Sequence, residues 1–201
     1  MTTEKESSSG SDDVINASEF ASEETFYSPP AQKSVKEIIE ADHNDESLKK
    51  YKEQLLGENA SGPVLVEPDN PKNVLVRRIS LVSDDQVKHS MDLPAKGDFV
   101  FCVKESCTYR IRFEFVVQRE IICGLKYAHK VSRLGVGVTK ELYMLGSYGP
   151  RHEPYTYETS PEEAPSGILS RGKYRVHSLI TDDDKNIWLD WSWHIEIAKS
   201  W

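Results

Sequence analysis

The chain has 201 residues, a hydrophobic share of 38% and a formal net charge of −8. This length fits one domain with an extra segment, or two small domains. The acidic balance argues against a general nucleic-acid binder, and no apolar run approaches the roughly 18 residues of a membrane span. The first residues lack the basic and apolar stretches of a secretory signal. Three cysteines without a CxxC motif indicate reduced thiols in a cytosolic protein.

Charge divides the chain into two unequal parts. The first 60 residues contain 14 acidic and 6 basic side chains, whereas residues 61–201 contain 19 of each. We therefore expect an acidic, weakly hydrophobic arm in front of a neutral folded domain. The predicted segments are a disordered acidic tail (1–25), an arm with two short helices (26–60), a linker rich in Gly and Pro (61–71) and a β-rich domain (72–201).

Two short amphipathic helices are predicted in the arm. Ser34 and Glu37 fit a capping box at the start of the first helix, and Asn44 or Asp45 can cap the second. Three side chains share one face of the second helix: Leu48, Tyr51 and Leu55. Both helices are too short to be stable alone. The arm is therefore either a helical hairpin docked on its own domain or a segment that becomes ordered when it binds a partner.

From residue 72 onward, apolar and polar side chains alternate with the period of a β-strand. The clearest strand has one apolar face, formed by Tyr109, Ile111, Phe113, Phe115 and Val117. The final strand has another, formed by Leu189, Trp191, Trp193, Ile195 and Ile197. Gly124 indicates a bulge, residues 83–97 are predicted as a loop, and turn formers cluster at 145–151, 161–167 and 182–186. Many short strands with no helical pattern between them predict an all-β fold, an antiparallel β-sandwich.

No catalytic motif is recognisable in the chain. It has no P-loop, no HExxH, no G-x-S-x-G and no dinucleotide fingerprint, and its six histidines show no metal-ligand spacing. The acidic run 182–184 lacks the spaced ligands of a calcium loop, and indicates a solvated hairpin turn or a loop that contacts a partner. The cysteines lie in strand-like segments, where inert thiols are expected. The sequence therefore predicts neither an enzyme nor a metal site.

Large rings on the inward faces of the predicted strands allow two interpretations. Trp191 and Trp193 are consecutive on one face of the last strand, and Phe101, Tyr109 and Phe113 add further rings. Such rings either fill a small core or line a slot between two sheets that holds an apolar ligand. The composition does not separate these two alternatives.

Segments along most of the chain follow one another in an order that is specific for one family. They are PPAQKS (29–34) after Tyr27, DESLKKYK (45–52), LLG (55–57), YRIRF (109–113), REI (119–121), GLKY (124–127), YMLGSYGPR (143–151), PEEAP (161–165), TDDDK (181–185) and WSW (191–193). Together they cover residues 26–201 and resemble the Rho GDP-dissociation inhibitors. The resemblance implies an immunoglobulin-like antiparallel β-sandwich with a flexible N-terminal helix-loop-helix arm that has a regulatory role.

The resemblance also implies a function. Such a protein binds prenylated Rho-family GTPases in the GDP form, slows GDP release, extracts the GTPase from membranes and keeps it soluble in the cytosol. It needs no cofactor, because its apolar ligand is the geranylgeranyl group of the partner. It is expected to be a monomer alone and a one-to-one heterodimer with the GTPase, with no nucleic-acid partner and with membrane contact only through its cargo.

Two sets of site residues follow from the resemblance. The prenyl pocket is assigned to Leu81, Phe101, Tyr109, Ile121, Leu169, Val176, Trp191 and Trp193. Contacts with the GTPase are assigned to Tyr27, Ser34, Asp45, Leu48, Tyr51, Leu55, Glu162, Glu163 and Asp184. In the second set, Ser34, Leu48 and Leu55 keep the arm helices in shape. Glu162 and Glu163 face the basic tail of the GTPase, and Asp184 is an acidic contact on the domain.

Three other functions compete with this reading. A related sandwich that carries other lipidated cargo would not need the arm at 27–57. An interaction domain with a fully packed core would hold no ligand. An enzyme is the least favoured class, because the sequence has no recognisable set of nucleophile, base and metal ligands.

Overall fold

The computed structural model describes residues 37, 45–48, 50, 51 and 64–201, and these residues contain ten β-strands. The strands are β1 (Val74–Ser83), β2 (Gln86–Asp92), β3 (Val100–Lys104), β4 (Thr108–Val117), β5 (Ile122–Arg133), β6 (Val136–Tyr148), β7 (Tyr155–Glu158), β8 (Glu162–Glu163), β9 (Gly172–Thr181) and β10 (Ile187–Ala198). None of the helices in the described part of the chain has the length and apolar character needed to cross a bilayer.

The strands form two sheets with a hydrophobic core between them. The first sheet has the order β2-β1-β4-β7, with β8 also paired to β4, and the second has the order β3-β10-β9-β5-β6. The pairs are antiparallel except for β3 and β10, which run parallel. The prediction of an all-β sandwich is confirmed.

Strand β4 shows why the period-two pattern predicts the core. Ile111, Phe113 and Phe115 are at most 2% exposed, while Arg112 on the other face donates a hydrogen bond of 2.7 Å to Glu158 of β7. The Phe113 ring lies 4.4 Å from the ring of Tyr127 on β5, so this contact joins the two sheets. Burying a large apolar side chain contributes about 2 kcal/mol or more, and β4 contributes several of them.

The bulge predicted at Gly124 is confirmed. The pairing of β5 with β6 shifts between Ile122 and Leu125, and Gly124 has a φ of 60°. A Cβ atom at this position would lie 2.0 Å from Oδ2 of Asp183. Glycine is favoured here because of this left-handed φ and because the carboxylate of Asp183 occupies the space of a Cβ atom.

Three strands depart from the sequence prediction, and one of them is β8 (Glu162–Glu163), which lies within the predicted turn 161–167. Strand β2 lies in residues predicted as a loop, and it is an edge strand that is held by backbone pairing to β1. Of its seven side chains Met91 is buried, so the segment shows no clear alternation. Strand β6 continues to Tyr148, inside the predicted turn 145–151. Gly146, with a φ of 115°, is accommodated within this edge strand.

Residues that precede β1 are fastened to the end of β4 by Gln118, which is completely buried. Its Oε1 accepts the backbone N–H groups of Val66 and Glu67 at 3.0 and 2.9 Å. Its Nε2 donates to the carbonyl oxygen of Lys72 at 2.7 Å. Val64 is also buried, and its carbonyl oxygen accepts the N–H of Arg119 at 3.0 Å. The described chain from residue 64 is thus bound to the sandwich.

Candidate functional site

Four aromatic side chains lie together with two aliphatic ones between the sheets. Phe101 of β3 and Trp193 of β10 meet edge to face, with ring centroids 4.9 Å apart. Trp191 stacks on Trp193 at 5.9 Å with an angle of 6° between the planes. Tyr109 of β4 packs against the core to which these rings belong. That core, with the side chains packed against it, contains six of the residues assigned to the prenyl pocket, and we call these six the aromatic layer: Leu81, Phe101, Tyr109, Val176, Trp191 and Trp193.

Six of the eight residues that the resemblance assigns to the prenyl pocket thus lie in the common core, which also contains many residues outside that assignment. Phe101 and Trp193 are buried, whereas Tyr109 and Trp191 are half-buried at its margin. The other two residues are not brought into the layer. Ile121 is half-buried just before β5, and Leu169 is 90% exposed on the loop before β9.

A serine hydroxyl fixes the deep side of the aromatic layer. The indole Nε1 of Trp193 donates a hydrogen bond of 2.9 Å to Oγ of Ser178. The same Oγ lies 3.1 Å from the hydroxyl of Tyr127, with which it also forms a hydrogen bond. All three side chains are at most 1% exposed. Because a buried polar group without a partner is costly, this set fixes the orientation of the Trp193 ring.

A carboxylate joins the two sheets beside the layer. Glu162 of β8 accepts a hydrogen bond of 2.8 Å from the hydroxyl of Tyr109 on the first sheet. Its other oxygen accepts one of 2.6 Å from the hydroxyl of Tyr143 on the second. Burial and the nearby negative charge of Glu162 raise the pKa of both tyrosines. Both hydroxyls therefore remain donors at neutral pH, and we call this arrangement the tyrosine–glutamate bridge.

His129 lies next to this bridge on the inner face of β5. It is 4% exposed, and its ring is 5.4 Å from Tyr127 and 5.9 Å from Tyr143. Its Nδ1 has no hydrogen-bond partner among the described residues. Burial lowers the pKa of His129 below its ordinary value of 6.5, although the charges of Glu162 and Glu141 act in the opposite direction.

The predicted acidic contacts are not one surface. Glu162 and Glu163 pair with the first residues of β4, and Glu163 is exposed whereas Glu162 is engaged by the two tyrosines. Asp184 is half-buried in the β9–β10 turn, at the opposite end of the sandwich. There its negative charge contributes to a raised pKa of Glu120, for which burial is the main cause.

The neighbouring aspartates have structural partners in this turn. Asp182 is buried, and its carboxylate accepts hydrogen bonds from the backbone of Asn186 at 2.9 Å and from Nε1 of Trp188 at 2.9 Å. Asp183 forms an ion pair of 2.6 Å with Lys126. The acidic run thus builds the β9–β10 hairpin turn through the hydrogen bonds of Asp182 and the ion pair of Asp183.

Three of the predicted arm residues lie on a described helical segment. Oδ1 of Asp45 accepts the backbone N–H groups of Ser47 and Leu48 at 2.9 and 3.1 Å, which confirms Asp45 as a helix cap. Leu48 and Tyr51 are 41% and 46% exposed and lie three residues apart, on one helix face. Tyr27, Ser34 and Leu55, which the resemblance also assigns to the arm, lie outside the described residues.

A polar hollow of ≈ 200 Å³ opens beside Tyr109. It is lined by the turn between β1 and β2 and by the start of β4: Val82, Ser83, Asp84, Asp85, Thr108, Tyr109 and Arg110. Most of these side chains are polar or charged, so the hollow does not match an isoprenoid chain. It marks the side of the sandwich on which Tyr109 approaches the surface.

Neither metal chemistry nor thiol chemistry is supported within the described ranges. No group of three or more His, Cys, Asp or Glu side chains among the described residues could hold a metal ion. Burial raises the pKa of all three cysteines. A raised pKa lowers the thiolate fraction on which reactivity depends. Cys102 and Cys107 are half-buried, whereas Cys123 is exposed.

Sequence reasoning missed the residues that support the layer: Ser178, Tyr127, His129 and Tyr143. Tyr127 and His129 are two residues apart, so they share the inward face of a strand. A polar-tipped side chain on an inward strand position is the signal that would have pointed to them, because such a group needs a buried partner.

Comparison with known proteins gives consistent matches. A family model described as RHO protein GDP dissociation inhibitor matches residues 13–200. The chain is 48% identical over 192 residues to a probable rho GDP-dissociation inhibitor of Caenorhabditis elegans, covering 93% of this chain and 98% of the relative. It is 47% identical over 181 residues to Rho GDP-dissociation inhibitor 1 of Rattus norvegicus, covering 87% and 86%. It is 43% identical over 180 residues to Rho GDP-dissociation inhibitor 3 of Homo sapiens, covering 87% and 78%.

Proposed function

The chain belongs to the RHO protein GDP dissociation inhibitor family, and on this premise we propose that it binds a Rho-type GTPase in its GDP form and slows GDP release. It takes the prenyl group of that GTPase between its two sheets, extracts the GTPase from the membrane and holds it in the cytosol as a one-to-one complex. The family is one of regulatory binding proteins, and the chain is not an enzyme.

The aromatic layer is the observation that carries the prenyl part of this proposal. It combines side chains from both sheets, including Leu81 of the first and Val176 of the second, around the rings of the last strand. A geranylgeranyl group has roughly 20 carbons, and burying it contributes on the order of 10 kcal/mol or more. An apolar layer between two separable sheets is suited to such a ligand.

Entry of the ligand requires the layer to open. Phe101 and Trp193 are 2% and 1% exposed, so their rings fill the space that the prenyl chain would take. Trp191 and Tyr109 are the two half-buried members, and we place the entry on their side. The energy gained by burying the prenyl chain offsets the cost of moving these rings.

The tyrosine–glutamate bridge gives the basic tail of the GTPase a role in this opening. Glu162 already accepts two hydroxyl groups, one from each sheet. A cationic side chain of the tail makes a stronger, charge-assisted bond to a carboxylate than a neutral hydroxyl does. We therefore propose that Glu162 exchanges at least one tyrosine for the tail, and that this exchange loosens the contact between the sheets. Exposed Glu163 is available beside it for a second cation.

The arm supplies the affinity that the pocket alone lacks. A bilayer stabilises a prenyl chain about as well as a protein pocket does, so extraction needs a second contact. Binding of the arm to the GTPase makes capture of the prenyl group intramolecular. The exposed face of Leu48 and Tyr51 is suited to pack on the switch loops. Because nucleotide release requires these loops to move, holding them slows it.

The proposal is tested by extraction from liposomes. A geranylgeranylated, GDP-loaded Rho-type GTPase is bound to vesicles, the chain is added, and the GTPase in the supernatant is measured. We expect it to leave the membrane in a soluble one-to-one complex and to release GDP more slowly. The unprenylated GTPase, which lacks the apolar ligand, is the control for affinity that comes from the arm alone.

Failure of extraction by a correctly folded chain would refute the carrier role. Extraction of other prenylated or acylated proteins with equal efficiency would support the competing lipid chaperone. Extraction without any effect on GDP release would retain the prenyl pocket and remove the proposed grip of the arm on the switch loops.

A further inference from the structure

One end of the second sheet exposes four large apolar side chains. In the turn between β5 and β6, Leu134 is 96% exposed, and Val136 next to it is 67% exposed. In the loop before β9, Ile168 and Leu169 are 80% and 90% exposed. Single exposed apolar residues are ordinary, but a cluster of them marks a surface that binds something. We call these four residues the apolar tip.

Arg133 joins the two parts of the apolar tip. Its guanidinium donates hydrogen bonds to the carbonyl oxygens of Leu169 and, at 2.7 Å, Arg171. The same group lies over the ring of Tyr174 at 5.0 Å. The loop before β9 is therefore held beside the β5–β6 turn, so that the four apolar side chains form one surface.

The β5–β6 turn projects from the body of the sandwich. Strand β6 is exposed at every position from Val136 to Leu142, whichever face the side chain occupies. Strands with one covered face alternate between buried and exposed, so this part of the hairpin extends past the facing sheet. The apolar tip therefore lies at an exposed end of the second sheet.

Basic side chains outnumber acidic ones in the segments that contain the apolar tip. Segments 130–140 and 164–175 contain six basic side chains and no acidic one, although residues 61–201 as a whole are neutral. They are Lys130, Arg133, Lys140, Arg171, Lys173 and Arg175. Arg171 is paired with Glu105 at 2.6 Å. The second sheet also has acids beside these bases, because exposed Glu196 is the register partner of Lys173 and Glu141 follows Lys140. Six bases therefore stand beside three acids, Glu105, Glu141 and Glu196, which leaves an excess of positive charge at this end.

We propose that the apolar tip inserts into the interfacial region of an anionic lipid membrane, as a direct contact that requires no cargo. An exposed apolar surface with an excess of basic residues beside it combines insertion with attraction to anionic headgroups. The acidic first 60 residues are repelled by such lipids, which makes the contact weak and reversible. The sequence predicts membrane contact only through cargo, and this tip adds a second kind. The contact does not depend on the proposed function.

Vesicle flotation of the full chain without any GTPase tests the proposal. The probes are phosphatidylcholine vesicles with and without roughly a third phosphatidylserine, at low ionic strength. We expect binding to the anionic vesicles, and a loss of about tenfold in the bound fraction for the double variant Leu134→Asn, Ile168→Asn. Leu134 has a φ of 50°, a conformation that asparagine adopts readily, so the variant is compatible with the fold.

Three further variants separate apolar from electrostatic contributions. Ile187→Asn is the matched control, because Ile187 is 50% exposed and lies at the opposite end of the sandwich, after the β9–β10 turn; it should bind as the unchanged chain does. Lys173→Gln should bind about fivefold more weakly, as expected for one basic residue near a charged surface. Lys185→Gln, at the opposite end of the sandwich, should bind the vesicles as the unchanged chain does.

Three results would overturn the proposal. The first is no binding of the unchanged chain to anionic vesicles, which would favour a protein partner for the tip. The second is equal binding by the unchanged chain and the double variant, with thermal unfolding showing that both are folded. The third is an equal loss in the Ile187→Asn control, which would mean that the apolar tip has no special part in the contact.

Discussion

Removing one hydroxyl from the tyrosine–glutamate bridge should lower stability and raise affinity at the same time. Tyr143→Phe deletes the hydrogen bond of 2.6 Å to Glu162 while keeping the ring that stacks on Tyr127. A hydrogen bond to a charged group contributes about 1.5–3 kcal/mol. Because Tyr143 is half-buried, we expect a loss of about 1–2 kcal/mol in the free energy of unfolding. For a domain of this size that lowers Tm by about 4 °C.

The effect on affinity has the opposite sign. If the bridge must open when the basic tail of the GTPase binds Glu162, a weaker bridge costs less to open. A saving of about 1.4 kcal/mol corresponds to a tenfold lower Kd, so Tyr143→Phe should bind the prenylated GTPase up to about tenfold more tightly. Kd is measured by titrating extraction from liposomes, and stability by thermal unfolding of the free chain.

Tyr155→Phe is the matched control for this experiment. It also removes a tyrosine hydroxyl, one that donates at 2.9 Å to the carbonyl oxygen of Gly149, but it has no contact with Glu162. It should lose stability without any gain in affinity. If Tyr143→Phe instead binds the GTPase more weakly in proportion to its lost stability, the exchange of partners at Glu162 is wrong.

Four further predictions concern the layer, the arm and the two ends of the sandwich. Trp193→Ala should destabilise the domain by about 3–5 kcal/mol and abolish extraction, whereas Trp188→Ala at the far end should destabilise it and spare extraction in the molecules that remain folded. Tyr51→Ala should weaken GTPase binding, measured by the same titration, with no change in Tm, because its side chain is 46% exposed. Asp182→Ala should lower the free energy of unfolding in urea by about 3 kcal/mol, since it leaves the buried Trp188 N–H without a partner; an unchanged urea midpoint would contradict that role. Because the pKa of His129 is below 6.5 in the folded chain, the unfolded chain takes up this proton first as the pH falls. Stability should therefore decline below about pH 7, and His129→Leu should show a smaller decline than a His152→Gln control.

The sequence predicts strands best where one face is buried. In β4 and β10 the alternation of apolar and polar side chains is nearly complete, and both strands are where the pattern places them. Strand β2 could not be predicted this way. It lies at a sheet edge, is held by backbone hydrogen bonds and buries one side chain, so its sequence has no alternating pattern. Edge strands of this kind are specified by their neighbours rather than by their own residues.

The sequence likewise predicts some residues of the candidate site and not others. The rings of Trp191 and Trp193 stand out in the sequence, because two tryptophans at alternate positions of one strand must share a face. The tyrosine–glutamate bridge does not stand out. Glu162 is 53 residues from Tyr109 and 19 from Tyr143, and a contact of this range is created by the packing of two sheets. Leu169 differs in the opposite way. The family resemblance assigns it to the pocket, but in the structure its loop leaves the side chain exposed to solvent.

The attachment made by Gln118 has a consequence for how the arm finds its target. Because this side chain and the buried Val64 bind the chain to the sandwich, the arm has a fixed point of origin. Tyr51 precedes Val64 by 13 residues, and a polypeptide of this length spans at most about 45 Å. The helix that carries Tyr51 therefore stays within about 45 Å of Val64. If the prenyl group of a GTPase enters the sandwich as proposed, the GTPase is held within reach of the arm. The search for the switch loops is then local and independent of how dilute the two proteins are.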